Sequence, residues 1–335
     1  MNVTLPIASY WQKVLQPELA RLTEPLQGWF FTIQSNGDLA VSLPALVLVG
    51  LTVGLLTGFF GVGGGFLMTP WLNVFFNVPY NVAVGTDLTQ MVGTATMANL
   101  RQGGAGYVDF KLGFLLFGGS IFGVEIGARL VELLKAGGGF VVGGLRITVL
   151  QTVMTLVYGL LMGWIASLVF KEARAALRKE HQGATPVAMA APVAGRLRTI
   201  HLRPLVSLPV SGVEAISLWV ILGVGFFSGL LTGLLGVSGS FIRMPALIYV
   251  LGVPTVVSIG TNLFELLLTS LYGTLTHSVK GNVELVLVII LLAAGALGSQ
   301  AGAALQRKFA HPRLQLAFAG VMFFTIGLML LKLFR

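Results

Sequence analysis

Residues 55–70 read LLTGFFGVGGGFLMTP, and residues 230–245 read LLTGLLGVSGSFIRMP. The two stretches are 175 residues apart and align without a gap. The same register joins residues 55–130 to residues 230–305, where 26 of 76 positions are identical. Shared enrichment in Leu and Gly accounts for far fewer identities than this. The sequence therefore indicates an internal duplication.

The composition predicts an all-α polytopic membrane protein. Hydrophobic residues make up 55% of the chain and charged residues 10%, whereas a soluble domain has about 25% charged residues. Several runs almost without charge are long enough for the roughly 20 helical residues that cross a bilayer. The 44 glycines suit close helix contacts in lipid. The runs lack the alternation of apolar and polar residues that a transmembrane β-barrel needs.

The charged residues and the absence of cysteine exclude other classes. Without cysteine there is no disulfide, thiol nucleophile or thiolate metal site, and no nucleotide loop or metal cluster is visible, so we expect no cofactor and no metal. The net charge of +9 comes largely from residues 171–203, which hold seven Lys or Arg and two acidic residues. This pattern predicts a cytoplasmic loop under the positive-inside rule rather than a nucleic-acid surface. The N-terminus lacks the pattern of a cleavable signal peptide.

The chain divides into four predicted parts: an N-terminal amphipathic segment (1–40), a first transmembrane repeat (41–170), a cytoplasmic linker (171–214) and a second transmembrane repeat (215–335). Hydrophobic runs, Gly clusters and Pro residues predict five helical segments in each repeat, one of them too short to span. These predicted segments are 43–60, 66–77, 79–102, 111–134 and 140–170, then 215–235, 241–251, 254–277, 283–306 and 312–334.

The distribution of Lys and Arg predicts that the two repeats are inverted. The loop at 307–313 is basic, whereas the equivalent loop at 130–139 has only Lys135 beside Glu132. Basic loops favour the cytoplasm, so the equivalent loops should lie on opposite sides of the cytoplasmic (inner) membrane. Three full crossings and one re-entrant helix pair per repeat satisfy this, with both termini outside.

Helices broken at corresponding positions of two repeats indicate the central site of a transporter. Irregular backbone at membrane depth is tolerated where it lines a cavity or is buried in protein. A helix that begins there directs its free N–H groups toward an anion. The predicted binding residues at the two breaks are Gly63, Gly64 and Gly65, and their equivalents Ser238, Gly239 and Ser240.

Polar residues within otherwise apolar segments are further candidates. Arg243 has Met68 as its equivalent, so the two copies differ by one guanidinium, which could hold an oxyanion through its fork of donors. The alternative is a buried ion pair with Glu265 or Asp87, and the sequence leaves both open. The other candidates are Thr86, Asp87 and Gln90, whose equivalents are Thr261, Asn262 and Glu265.

A different class, an intramembrane serine protease, is also considered. The sequence GVSG at 236–239 matches a rhomboid signature, and His277 could serve as the base for Ser238. However, the first copy reads GVGG, with Gly63 in place of the serine. Ser238 is thus better interpreted as a variant of a structural motif. His277 is better interpreted as a residue at a helix end, and Glu125 and Gln300 as parts of helix contacts through Gly123, Gly127, Gly298 and Gly302.

The paired motifs resemble the sulfite exporter TauE/SafE family of membrane permeases. The matching pieces are GFFGVGGGFLMTP and GLLGVSGSFIRMP, then VPYNVAVGTDL and VPTVVSIGTNL, then GYVD and GNVE. The resemblance covers most of 50–135 and 225–335 and omits the N-terminal segment and the linker. It implies a protein of two repeats that exports or takes up sulfite, sulfonates or related sulfur-containing anions.

These observations combine into one hypothesis, a secondary transporter, expected to be an exporter, of sulfite or a small organosulfonate bound between the repeats. Arg243 and the helix N-termini should neutralise the anion, while Thr86, Thr261 and Asn262 donate hydrogen bonds. Asp87, Gln90 and Glu265 are assigned to coupling or gating, with protons as the candidate coupling ion. An anion channel of the same architecture is the alternative. The anion, the direction, the coupling ion and the oligomeric state stay open.

Overall fold

The duplicated motif ends one helix and begins a shorter one in each half of the chain. The computed structural model describes residues 30–34, 38–60, 65–102, 108–142, 145–181, 202–308 and 312–333. Its first half has five helices: α1 (Leu43–Phe60), α2 (Met68–Phe76), α3 (Tyr80–Gln102), α4 (Phe110–Ala136) and α5 (Val149–His181). The second half has five more: α6 (Leu218–Leu235), α7 (Ser240–Pro245, continued by a π-helical turn at Ala246–Val250), α8 (Thr255–Val279), α9 (Leu285–Lys308) and α10 (Pro312–Leu333). The predicted ten helical segments are therefore confirmed. Most of their ends shift by up to three residues, whereas α5 begins nine residues and ends eleven residues later than predicted and so extends into the predicted linker.

Glycine sets the break between α6 and α7. Gly236 has φ 69°, and its N–H donates to the carbonyl of Thr232 at 2.8 Å, which ends α6. Gly239, with φ 62°, immediately precedes α7. Both residues adopt the left-handed conformation that residues with a Cβ rarely take. In the first repeat, Gly65 has φ 94°, and residues 61–64, which include Gly63 and Gly64, lie outside the described residues.

Strands appear where the sequence predicted helix or linker. Three antiparallel hairpins pair β1 (Phe30–Gln34) with β2 (Asp38–Ser42), β3 (Gly139–Val142) with β4 (Leu145–Thr148), and β5 (Leu205–Leu208) with β6 (Val213–Ser217). The predicted helical starts at 140 and 215 were wrong, because Phe, Val, Ile and Thr at these positions favour strands. The end of the predicted N-terminal amphipathic segment (1–40) forms strands, and residues 1–29 lie outside the described residues.

The first and third hairpins extend the duplication beyond the motif. Adding 175 to the ends of β1 and β2, 30 and 42, gives 205 and 217, the ends of the hairpin formed by β5 and β6. The hairpin of β5 and β6 contacts the start of α4 in the first repeat. Ser211 donates a hydrogen bond to Asp109 at 2.6 Å, and Lys111 donates one to the carbonyl of Ser207 at 2.9 Å. The repeat unit is thus a hairpin followed by helices.

Each repeat packs its long helices against the other repeat. Helix α1 runs parallel to α9, and α4 runs parallel to α6, with glycine at both seams. A Cβ on Gly54 would lie 2.8 Å from Cα of Gly295, and a Cβ on Gly229 would lie 2.6 Å from Cα of Ser120. Such backbone contact is possible only where side chains are absent. Packing is also the role of the four predicted contact glycines, which face the partner helix's backbone: Gly123, Gly127, Gly298 and Gly302.

The centre of the molecule is the pair α3 and α8, which are equivalent helices of the two repeats. They run antiparallel, because Asn99 near the end of α3 donates to the carbonyl of Leu263 near the start of α8 at 2.8 Å. At the opposite end of the pair, a Cβ on Gly273 would lie 3.1 Å from Leu88. Helices α5 and α10, also equivalent, pack on each other at the side. Most of the helix packing around the centre therefore crosses from one repeat to the other.

Six helical stretches of the described chain are long and apolar enough to cross a membrane. They are α4, α6, α8, Val149–Ala175 of α5, Leu285–Leu305 of α9 and Gln315–Leu333 of α10. Their outward faces expose large apolar side chains such as Phe122, Leu160 and Ile289, as expected of lipid-facing surfaces. The chain is an all-α multi-pass membrane protein. Helix α8, predicted as half of a re-entrant pair, is long enough to span, whereas the apolar part of α1, Leu43–Phe59, is shorter.

Candidate functional site

A polar cluster in the second repeat surrounds Arg243, which lies one turn inside α7 and has an exposed fraction of 0%. Its guanidinium forms an ion pair with Glu265 on α8. Its Nη1 donates to Oδ1 of Asn262 at 3.3 Å, and its Nε donates to Oγ of Ser228 on α6 at 3.3 Å. Its Nη2 has no hydrogen-bond partner among the described residues. The arrangement thus fixes the guanidinium on two sides and leaves one buried donor free.

Glu265 ties this cluster to the first repeat. Its Oε1 accepts hydrogen bonds from Ser120 on α4 and from Thr269 one turn along α8, both at 2.6 Å. Its Oε2 faces Arg243. Removing a carboxylate from water is costly unless its oxygens are paired, and here both oxygens have partners. We will call Ser120, Ser228, Arg243, Asn262, Glu265 and Thr269 the arginine cluster.

The equivalent region of the first repeat has a carboxylate but no cation. Asp87 on α3 has an exposed fraction of 0%, and its Oδ2 accepts from Thr69 on α2 at 2.9 Å. Its Oδ1 has no partner among the described residues, and the same holds for Oε1 of Gln90 one turn further along α3. Met68 occupies the position equivalent to Arg243. We will call Thr69, Asp87, Gln90 and Tyr158, whose hydroxyl donates to the carbonyl of Leu235, the aspartate cluster.

The helix breaks of the two repeats lie against each other, beside the aspartate cluster. The rings of Phe66 and Phe241, which are equivalent residues, have centroids 5.7 Å apart. A Cβ on Gly65 would lie 2.6 Å from the carbonyl oxygen of Gly236 and 2.9 Å from Oδ2 of Asp87. The break of the second repeat therefore borders the aspartate cluster, and the region between the clusters is formed by both repeats.

The predicted threonines lie on the contact between repeats. Oγ1 of Thr86 accepts from the backbone N–H of Glu284 at 3.1 Å, and Oγ1 of Thr261 accepts from the backbone N–H of Asp109 at 3.0 Å. These two bonds are equivalent under the duplication. Both threonines are fully buried. Their described contacts are therefore structural, and a role in binding an anion stays a prediction.

The other predicted binding residues border the arginine cluster. Ser238 and Ser240 are buried, and Ser240 donates to the carbonyl of Ser238 at 3.5 Å. A Cβ on Gly239 would lie 3.2 Å from Nη2 of Arg243, so the free donor faces a residue without a side chain. A Cβ there would also lie 2.9 Å from the carbonyl oxygen of Ser228, so the protein packs closely around the guanidinium at this position.

The remaining candidates have local partners. His277 is buried, and its Nε2 lies 3.1 Å from the carbonyl oxygen of Gly233. Glu125 pairs with Arg129 at 2.7 Å on the outer face of α4. Gln300 lines a cavity of about 70 Å³ between α3 and α9. No group of His, Cys, Asp and Glu in the described part of the chain could hold a metal ion.

Several members of the clusters were missed in the sequence. Ser120, Ser228 and Thr269 all contact the Arg243–Glu265 pair, and Thr69 and Tyr158 belong to the aspartate cluster. Thr269 stands four residues after Glu265, a spacing that puts two side chains on one helix face, so it could have been found. The other four lie on different helices from their partners, and their hydroxyl groups are common in membrane helices for packing alone.

Comparisons with known proteins agree with this architecture. A family model described as "Sulfite exporter TauE/SafE" matches residues 46–329. The chain is 26% identical over 276 residues to "Probable membrane transporter protein YunE" of Bacillus subtilis (strain 168), covering 80% of this chain and 90% of that protein. It is 23% identical over 290 residues to "Probable membrane transporter protein YdhB" of the same organism, covering 85% and 99%. No solved structure matches the chain.

Proposed function

Because the chain belongs to the sulfite exporter TauE/SafE family of membrane transporters, we propose that it is a secondary transporter that exports sulfite or a small organosulfonate across the cytoplasmic membrane. The anion binds between the two repeats, at the arginine cluster. The observation that carries this proposal is Nη2 of Arg243, a buried cationic donor without a partner among the described residues. A buried donor left unpaired is costly, and an oxyanion is the ligand that would satisfy it.

The geometry around Arg243 favours a small oxyanion. Oδ1 of Asn262 accepts from the guanidinium, so the amide hydrogens of Asn262 are directed elsewhere and can serve as donors. Gly239 allows the backbone to approach Nη2 closely, because a Cβ there would lie 3.2 Å from this nitrogen. Glu265 neutralises much of the charge of Arg243, so a bound anion shares the guanidinium with a carboxylate. Such sharing favours weak, reversible binding, which a transporter needs for release.

Transport requires that the site open to each side in turn, and inverted repeats provide this by rocking about a central site. The antiparallel course of α3 and α8, two equivalent helices, supports inversion, because a two-fold axis that makes neighbouring equivalent helices antiparallel lies in the membrane plane. The contact of Phe66 with Phe241 supports an axis that passes between the two helix breaks.

A binding and flux experiment tests the proposal. Purified protein would be heated with sulfite, sulfate, sulfoacetate, isethionate, taurine or chloride, since a ligand of the folded state raises its apparent stability by mass action. The anions that stabilise the protein would then be followed in proteoliposomes. We expect sulfite or a sulfonate to stabilise the protein and to cross at a rate that saturates with concentration. Stabilisation and flux by chloride alone, or by none of the six, would contradict the proposal.

The same experiment separates a transporter from a channel. A transporter completes a conformational cycle for each substrate, so its flux is limited by turnover and it exchanges internal for external anion. A channel gives flux that rises with the driving force and shows no accelerated exchange. Saturating flux with exchange is the result expected here.

A further inference from the structure

The aspartate cluster contains a buried carboxyl group, that of Asp87, which has no role in the proposed binding of the anion at the arginine cluster. Asp87 is fully buried, and among the described residues it has one hydroxyl donor, Thr69, and no cation. The titratable groups beside this cluster are Tyr158 on α5, which lies near Thr69 and Asp87, and Tyr80 on α3, whose ring stacks on that of Tyr158. Neither of them is a permanent cation. A carboxylate buried in a membrane protein without a countercharge marks an ion or proton pathway.

Two neighbouring acceptor oxygens in this cluster both lack a hydrogen-bond donor. Oδ1 of Asp87 and Oε1 of Gln90 are both buried, and both lack a donor in the described part of the chain. Asp87 and Gln90 are three residues apart on α3, a spacing that makes their side chains neighbours. An ionised carboxyl group is only an acceptor, whereas a protonated one also donates. A single proton on Oδ1 of Asp87 would supply the donor that both oxygens lack.

The summed charge of the two clusters also favours a proton on Asp87. Together they hold one guanidinium, on Arg243, and two carboxylates, on Glu265 and Asp87, all with an exposed fraction of 0%. With all three ionised, an arriving anion meets a net charge of −1 in a region that water does not screen. With Asp87 protonated, the clusters are neutral before the anion arrives.

A route for the proton runs along one face of α3. Thr94 follows Gln90 by four residues, so Asp87, Gln90 and Thr94 lie on the same side of the helix. Thr94 lines the cavity of about 70 Å³ between α3 and α9, together with Met97, Ala98, Ala296, Ser299 and Gln300. A water molecule takes up about 30 Å³ in the liquid, so this cavity can hold water one turn from Gln90.

We propose that Asp87 is a proton-binding site whose proton crosses the membrane together with the anion held at the arginine cluster. The carboxylate takes one proton from water on the side where the anion enters and returns it to water on the other side, and no other bond changes. With a monovalent sulfonate the step is electroneutral, so the anion and proton gradients set its direction. This inference rests on the proposed function, and it gives different roles to two acidic residues: Glu265 pairs with Arg243, and Asp87 carries the proton.

The test separates net transport from exchange in proteoliposomes, with radiolabelled isethionate as the probe because its sulfonate stays ionised near neutral pH. Asp87→Asn copies Asn262, its equivalent, and cannot lose a proton. We expect accumulation driven by an imposed pH gradient to fall about tenfold or more, while exchange of internal for external isethionate at equal pH continues. Glu125→Gln, which removes an exposed carboxylate from α4, should leave both rates unchanged. Full pH-driven accumulation by Asp87→Asn would overturn the proposal.

Infrared spectroscopy, which needs no transport, tests the proton site at Asp87 separately from the proposed anion transport. The infrared carbonyl band of a protonated carboxyl group should appear in the purified protein as the pH falls from about 9 to about 6.5, a range where exposed carboxyl groups stay almost fully ionised. The band should persist in Glu125→Gln and be absent in Asp87→Asn. Its frequency should shift in Thr69→Val, which removes the hydroxyl partner. If the band follows this pattern but no anion is carried, the proposed function fails and the proton site stands. If the wild-type protein shows no such band, the proton site is wrong.

Discussion

The arginine cluster and the aspartate cluster occupy equivalent places in the two repeats but differ in their charged residues. Arg243 has Met68 as its equivalent, Glu265 has Gln90, and Asn262 has Asp87. The second repeat holds a cation with its carboxylate and one free donor, and the first holds a carboxylate with no cation among the described residues. The comparison suggests that duplication preserved the broken-helix framework while the two copies diverged to bind different ligands.

The largest effect should come from removing the carboxylate of the arginine cluster. Glu265→Gln leaves Arg243 charged and buried without an acidic partner, and breaking such a pair costs about 3–5 kcal/mol of stability. Thermal or denaturant unfolding in detergent measures this loss. Glu125→Gln breaks the exposed pair with Arg129, whose side-chain exposed fractions are 32% and 71%, and should change stability by no more than about 0.5 kcal/mol. Equal losses in the two variants would show that the buried pair has no special role.

The double variant Arg243→Met/Glu265→Gln then makes the second repeat copy the first, which has Met68 and Gln90. Because neither buried charge remains, we expect the double variant to be clearly more stable than Glu265→Gln alone. It should fold and fail to bind the anion. A double variant as unstable as the single one would mean that the two copies are not interchangeable frameworks.

The framework was largely predictable from the sequence, and the charge pairing was not. Apolar runs, the duplicated motif and Pro79 and Pro254 predicted ten helices and a break in each repeat, because these signals are local. The choice of Glu265 rather than Asp87 as partner of Arg243 depends on how α7 and α8 pack, which a spacing along the chain does not reveal. The hairpin preceding α6 was missed because its strands of four and five residues lie in a segment interpreted as linker.

The next largest loss of stability is expected where glycines let helices touch, at the equivalent contacts of α1 with α9 and of α4 with α6. Gly54→Ala and Gly229→Ala each place a methyl group within 2.8 Å of backbone atoms on the partner helix. Overpacking of this kind costs about 1–3 kcal/mol, and we expect similar losses at both sites when unfolding is measured. Gly223→Ala, with nothing within 4 Å of the new methyl group, is the matched control and should stabilise α6 slightly. A loss at only one seam would contradict the symmetry.

A loss of stability in the same range is expected at the two threonines. Thr86→Val and Thr261→Val each leave one backbone N–H of the other repeat without an acceptor, at a cost of about 1–3 kcal/mol for a buried donor. The cost should be larger for Thr261, because its donor residue, Asp109, is buried, whereas Glu284 is half-buried. Anion affinity should be compared in the same preparations. An affinity loss without a stability loss would assign these hydroxyl groups to the anion site instead.

Cysteine labelling, which should perturb the protein least, tests the inversion of the repeats. The chain has no cysteine, so a cysteine introduced at Ala184, in the predicted cytoplasmic linker, can be labelled without background. It should react with a membrane-impermeant reagent only after the membrane is opened. A second cysteine at Ser35, in the predicted N-terminal segment that precedes the first repeat, should be labelled from outside in intact cells. Labelling of Ala184→Cys from outside would reverse the predicted orientation, and labelling of both from one side would contradict inversion.

The central claim, that Arg243 holds the anion, is tested most directly by the anion affinity of Arg243→Met. A charge-assisted pair contributes about 1.5–3 kcal/mol, so its loss should weaken binding of sulfite or isethionate roughly ten- to a hundredfold. Arg243→Lys keeps the charge without the planar fork and should fall between the two. Comparison with the double variant Arg243→Met/Glu265→Gln separates a loss of binding from a loss of folding. If a folded Arg243→Met protein binds the anion as tightly as the wild type, the guanidinium is only a structural partner of Glu265.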